Sequence, residues 1–177
     1  MTFAQAVESA LKNFSKFTGL ASRTEFWYFR LFAFLVSIVT SVLDGILFPV
    51  DANAPIQEQL LGQPIGLVTS LLLLLPDTSV LARRFRDAGF SAKWLFLFVP
   101  VLGFMVLVGF AAQAVVDMGQ SGTLEGDLNV IGFAVPGILI SFGIGIFFLI
   151  VTLQPTKSGA QGNKYAPDYD PTRDPKS

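Results

Sequence analysis

No cysteine and no histidine occur in the 177 residues. Their absence excludes disulfides, thiol nucleophiles, zinc sites built from Cys and His, and any triad that uses imidazole as its base. It also removes the side chain whose charge switches most readily near neutral pH. Charge is scarce as well: charged residues make up 14% of the chain, against about 25% in an average soluble domain. Tyrosine occurs three times beside eighteen phenylalanines, so most aromatic rings carry no polar atom that would need a partner in lipid. Apolar residues reach 52% and mean hydropathy is +0.60. These values suit a chain solvated largely by a bilayer.

A spanning helix needs about 20 mainly apolar residues. Four stretches qualify, over residues 27–48, 64–82, 94–116 and 130–153. The last two contain no charge, whereas the first holds Arg30 and Asp44 and the second holds Asp77. The reading is an all-α integral membrane four-helix bundle over residues 20–155. Glu8, Lys12 and Lys16 interrupt the first 25 residues, so a cleavable signal is not expected there.

The cations are distributed unevenly. All twelve Lys and Arg fall in three regions: the N-terminal part (Lys12, Lys16, Arg23, Arg30), the second loop (Arg83, Arg84, Arg86, Lys93) and the tail (Lys157, Lys164, Arg173, Lys176). The first loop offers only Asp51 and Glu58, and the third only Asp117, Glu125 and Asp127. Four crossings put the basic regions on one side, and the positive-inside rule makes that side cytoplasmic. Both termini are therefore expected in the cytoplasm.

Local signals mark the element ends. Thr2 and Gln5 have capping-box spacing, and Phe3, Ala6, Val7, Ala10, Leu11, Phe14 and Phe17 recur at helical intervals. The pattern predicts an amphipathic helix over 3–18, within a cytoplasmic-surface segment 1–19 that Gly19 closes. That helix either lies on the membrane surface or packs on the bundle's inner end. Ser22 and Glu25 form a second box ahead of the first span, Gly89 suits the end of the second, and Ser91 suits the start of the third. Trp27, Tyr28 and Trp94 fall where an aromatic belt belongs. The tail, 156–177, is rich in Pro, Gly, Asp and Lys and is expected to be mostly disordered, with only 163–168 suited to docking.

Three segments carry a family likeness. Residues 19–29 read GLASRTEFWYF, residues 82–94 read ARRFRDAGFSAKW after Pro76, and residues 162–168 read GNKYAPD. In this order and spacing the chain resembles the bacterial inner-membrane family called domain of unknown function 805. The resemblance implies an inner-membrane location and a shared architecture, and it implies no activity. The chain departs from the family pattern at Arg86, where His is usual, at Leu20, where a basic residue is common, and at Ala166, which stands for Gly. Any proton-linked role of that His is closed to this chain.

Two groups of residues could carry chemistry. Arg83, Arg84, Arg86 and Asp87 lie at the same depth as Arg23, Glu25 and Arg30. Asp87 follows Arg83 by four residues and Arg84 by three, so on a helix it can pair with either. The set reads as an ionic latch between helix ends, or as an anion site where Arg holds a lipid phosphate or a phosphorylated ligand. Asp44 and Asp77 form the second group, since an intramembrane carboxylate is costly and often functional. They differ in depth by roughly 10 Å or more, too far for a shared proton. Asp77 follows Pro76, whose missing N–H loosens the helix there, and suits a proton or cation site or an ion pair with Arg30. Asp44 is near enough to the outer interface to be simply solvated.

Gly137, Ser141 and Gly145 make a small-residue stripe suited to helix packing. The sequence contains no Gly-rich phosphate loop, metal-ligand cluster, cofactor motif or nucleic-acid motif. The function expected is a non-enzymatic membrane module that binds anionic lipid, a protein partner or a second copy. The alternative is a small oligomeric transporter or channel with an intramembrane carboxylate on its path. A carboxylate-only enzyme is the least favoured reading.

Overall fold

The computed structural model describes residues 1–51, 62–104, 106–109 and 125–169. Five helices occur in chain order among them: α1 (Phe3–Lys12), α2 (Arg23–Leu47), α3 (Pro64–Asp87), α4 (Ala92–Gly109) and α5 (Glu125–Leu153). The first turns of α4, Ala92–Leu97, are 3₁₀, and a further 3₁₀ turn spans Gly159–Gln161. Every regular element among the described residues is helical. Four helices, α2 to α5, are long and apolar enough to cross a membrane. The loop acids Glu58 and Asp117, the third span beyond residue 109 and tail residues 170–177 lie outside the described residues.

Local chemistry sets the ends of α1. Gln5 N–H donates to Thr2 Oγ1 at 3.4 Å and Thr2 N–H to Gln5 Oε1 at 2.9 Å, a complete capping box. The helix stops at Lys12 rather than running to 18. Asn13 ends it, because both its backbone N–H and its side-chain amide donate to Ser9 O, at 3.0 and 2.8 Å. The carbonyls of Asn13 and Lys16 are then met by one hydroxyl, Ser79 of α3, at 2.8 Å each. Ala6 and Ala10 are fully buried against the bundle's end, while Phe3, Leu11 and Phe14 remain exposed.

The α3 helix is longer than the predicted span. It continues through Asp87, so Arg83, Arg84 and Arg86 lie on its last turns rather than in a loop. Gly89, at φ +86°, then reverses the chain, a conformation that only glycine adopts without strain. Ser91 caps α4 by accepting from Lys93 N–H at 3.3 Å.

Helices α2 and α3 share the most extensive contact, and α1 lies across both. The buried side chains gather where the basic residues are. Phe85 of α3 is fully buried, with its ring centroid 4.8 Å from that of Phe148 of α5. Phe98 of α4 lies 4.3 Å from Phe148, and Trp94 lies 5.3 Å from Phe147. In lipid such van der Waals packing holds helices together, since no hydrophobic gain remains between them. Gly137 of α5 admits the Phe104 ring of α4, which a Cβ would overlap, whereas Gly145 has no described atom within 4 Å of where its Cβ would stand.

Candidate functional site at the basic end

The last turns of α3 are tied to every element around them. Arg83 Nη1 donates to Glu25 Oε1 of α2 at 2.9 Å, and both side chains are buried. Ser9 of α1 donates its hydroxyl to the same oxygen at 3.0 Å. Glu25 N–H donates to Ser22 Oγ at 3.2 Å, so Ser22 is the N-cap of α2. Only half of the predicted second capping box forms, because the Glu25 carboxylate faces Arg83 instead of returning to the backbone of Ser22.

Arg84 is the most completely buried large side chain of the group, at 0% exposure. Its guanidinium faces Asp87 Oδ2 and Gln154 O, and its Nε donates to Thr152 O at 3.1 Å. The last carbonyls of α5 have no partner of their own helix to turn to, and Arg84 supplies one. Thr156 Oγ1 completes the group by donating to Asp87 Oδ2 at 2.7 Å.

The tail is ordered further than its composition suggests. Lys157 N–H donates to Asp87 O at 3.0 Å, and Gly159 N–H to Asp168 Oδ1 at 2.9 Å. Asn163, 1% exposed, directs its amide at Arg86 O, Asp87 O and Lys157 O. Docking therefore extends from Thr156 to Asp168, not only over 163–168. A close turn makes this possible: Gly159 packs against the backbone of Asp168 and Tyr169 with no room for a Cβ. Asn163 and Thr156 were not singled out from the sequence. Ser158 and Gln161 do carry a legible signal, capping-box spacing, of which the Gln161 half forms: Ser158 N–H donates to Gln161 Oε1 at 3.1 Å.

The remaining candidate residues fall elsewhere. Arg86 is half-buried, with its guanidinium carbon 5.6 Å from the centre of the Tyr165 ring. Arg23 is exposed and reaches Leu153 O at 3.5 Å. Arg30 Nη1 pairs with Asp77 Oδ2 at 3.1 Å, with 41% of its side chain exposed. Lys93 is exposed and has no ion-pair partner among the described residues. On α1, a hydrogen bond of 2.6 Å from Lys12 holds the Glu8 carboxyl below its ordinary range.

Asp44 is not solvated. It is 1% exposed and accepts from Ile65 N–H at 2.9 Å and Gly66 N–H at 2.6 Å. The first turn of α3 explains this. Pro64 has no N–H, Gln63 gives no side-chain cap, and the next two donors need an acceptor that lipid cannot offer. Asp77 also lines two cavities. One, of about 210 Å³ between α2 and α3, includes Arg30, Ser37, Thr40, Ser70 and Asp77 in its wall. The other, of about 670 Å³, lies mainly between α3 and α4. Asp77 Oδ1, Arg83 Nε and Nη2, and Arg86 Nε are buried with no hydrogen-bond partner among the described residues.

The four apolar helices and the cations gathered at one end define a multi-pass helical membrane protein. The chain belongs to the family described as protein of unknown function DUF805, whose profile matches residues 14–167. It is similar to the inner membrane protein YhaH of Escherichia coli (strain K12), with 34% identity over 105 residues, covering 59% of this chain and 81% of YhaH. It is also similar to the inner membrane protein YhaI of the same organism, with 32% identity over 106 residues, covering 58% of this chain and 78% of YhaI. No solved structure matches the chain.

Proposed function

We propose that this protein is a non-enzymatic inner-membrane module that binds anionic lipid at a cytoplasmic basic end. One observation carries the reading. Arg83 and Arg84 are buried and matched to Glu25, Asp87 and helix-end carbonyls, while Arg23, Arg30 and Lys93 stay accessible at the same end. A rigid cap ringed by accessible cations is suited to anionic headgroups, each cation near the surface being worth about 1 kcal/mol of attraction. The positive-inside pattern of Lys and Arg supports a cytoplasmic position for this end. The test is the lipid that accompanies the protein out of the membrane in mild detergent. Enrichment of anionic over zwitterionic lipid relative to the bulk membrane is expected, and bulk composition would sink the reading.

A second reading, a small transporter or channel, draws on the cavity between α2 and α3. Its wall combines the Arg30–Asp77 pair with four hydroxyl side chains, Ser37, Thr40, Thr69 and Ser70. The hydroxyls of Ser37, Thr40 and Ser70 donate to carbonyls of their own helices, which leaves their lone pairs to accept. Cation or proton flux in proteoliposomes that vanishes in Asp77→Asn would establish it. A wild-type protein that carries no flux would end it.

A further inference from the structure

We propose that the groove between α3 and α4 seats one anionic phospholipid, with its phosphate on Lys93 and Arg30 and an acyl chain along the apolar wall. The inference rests on the lipid-binding reading above and assigns it a place, two ligands and a lipid class.

The groove has a volume of about 670 Å³, within the roughly 300–1,000 Å³ of sites that take small molecules. Its wall is apolar over most of its length, with Leu74 and Leu81 from α3 and Leu95, Val99 and Leu102 from α4. The charged residues in it are Arg30, Asp77 and Lys93. Lys93 stands in the first turn of α4, and Leu102 lies nine residues further along that helix, roughly 15 Å deeper at about 2.0 Å per residue in the 3₁₀ turns and 1.5 Å beyond them. A cation therefore stands at the mouth of a slot whose α4 wall is apolar along its depth. That is the sequence of chemistries along a phospholipid, from headgroup to acyl chain.

Charge favours an anion. Asp77 is matched by Arg30, and Lys93 is matched by no carboxylate among the described residues. Arg30 places one terminal nitrogen on Asp77 and keeps Nε and the other terminal nitrogen, with 41% of its side chain accessible. A guanidinium so placed can accept a phosphate without leaving its carboxylate, since its five donors point in a fork. The groove is continuous with the lipid phase, because Val99 and Leu102 are 64% and 62% exposed on its α4 side. A free phosphate would leave that apolar wall unused. A lipid covers it.

The experiment uses the full chain in detergent micelles, titrated with phosphatidylglycerol or with phosphatidylcholine of the same acyl chains and read by native mass spectrometry. Wild type is expected to retain one phosphatidylglycerol in preference to phosphatidylcholine. Lys93→Gln should lower that retention about fivefold, the loss of one cation's attraction at a membrane surface. Arg30→Lys keeps the charge opposite Asp77 but loses the fork and should lower retention too. Lys164→Gln, an exposed cation away from the groove, should leave it unchanged. Equal retention in Lys93→Gln and wild type, or equal loss in Lys164→Gln, overturns the groove site while the broader reading stands. No preference for phosphatidylglycerol in wild type overturns the broader reading with it. A dimer that excludes the lipid and is lost in Val99→Trp would assign the groove to a second copy instead.

Discussion

The Asp44 carboxylate of α2 occupies the space that a side chain on Gly66 of α3 would need. A Cβ at Gly66 would stand 3.0 Å from Asp44 Oδ2, and that oxygen takes the Gly66 N–H at 2.6 Å. An acid within a span is often a sign of transport, but here one helix supplies the missing N-cap of its neighbour.

Asp44→Ala leaves the N–H groups of Ile65 and Gly66 without an acceptor in a medium that offers none. Each such loss costs about 1–3 kcal/mol. Thermal melting in detergent should fall clearly for Asp44→Ala and less for Asp44→Asn, which keeps one acceptor oxygen. A wild-type melting point for Asp44→Ala would remove this cap from the account.

Glu25 and Arg83 form a buried pair 58 residues apart in sequence. Removing one partner leaves the other charged and unmatched, at about 3–5 kcal/mol. Glu25→Leu and Arg83→Leu should each destabilise more than the double substitution does. Unfolding of all four proteins in detergent gives the cycle directly, and additive single effects would show that the two side chains act independently.

Asn163 holds the tail on the end of α3. Asn163→Ala removes donors to three carbonyls and should let residues 156–169 open more often. A loss of about 1.4 kcal/mol in local stability is tenfold in the open population. Tryptic cleavage after Lys157 and Lys164 should quicken by about that factor, with α2 to α5 still intact. Unchanged cleavage would mean that the amide does not hold the tail.

Orientation is open to a simple measurement because the chain has no cysteine. A single cysteine at Gln63 should react with a membrane-impermeant maleimide in intact cells whose outer membrane has been made permeable. One at Lys164 should react only after the inner membrane is opened. The reverse pattern would invert the topology that the cations predict.

Short-range features were open to reading from the sequence, because their causes lie within a few residues. A run of about 20 apolar residues specifies a helix in lipid wherever the rest of the chain goes, and Thr2 with Gln5 or Ser91 before α4 act within one turn. The same reasoning stopped at side chains whose partner is distant. Glu25 fits a capping box by spacing, yet the opposite charge on Arg83 outcompetes a backbone N–H. Asp44 looked solvated because its depth was legible and the uncapped start of α3 beside it was not. Residues 156–169 looked mostly disordered by composition, although a few hydrogen bonds to the end of α3 suffice to dock them.

The distribution of Lys and Arg by itself determined which end of the bundle would be basic, since that pattern is a property of chain order. Only the tertiary structure decided which of those cations are used up inside. Arg83 and Arg84 lie within three residues of Arg86 and ten of Lys93, with nothing local to separate their roles. Helix packing buries the first two against Glu25, Asp87 and the carbonyls of α5, and leaves Lys93 at the mouth of a groove. The charge of a buried guanidinium must be matched within the protein, as Glu25 matches Arg83 and Asp87 matches Arg84, because lipid offers no water to solvate it. Lys93, left accessible, is free to meet an anion from outside.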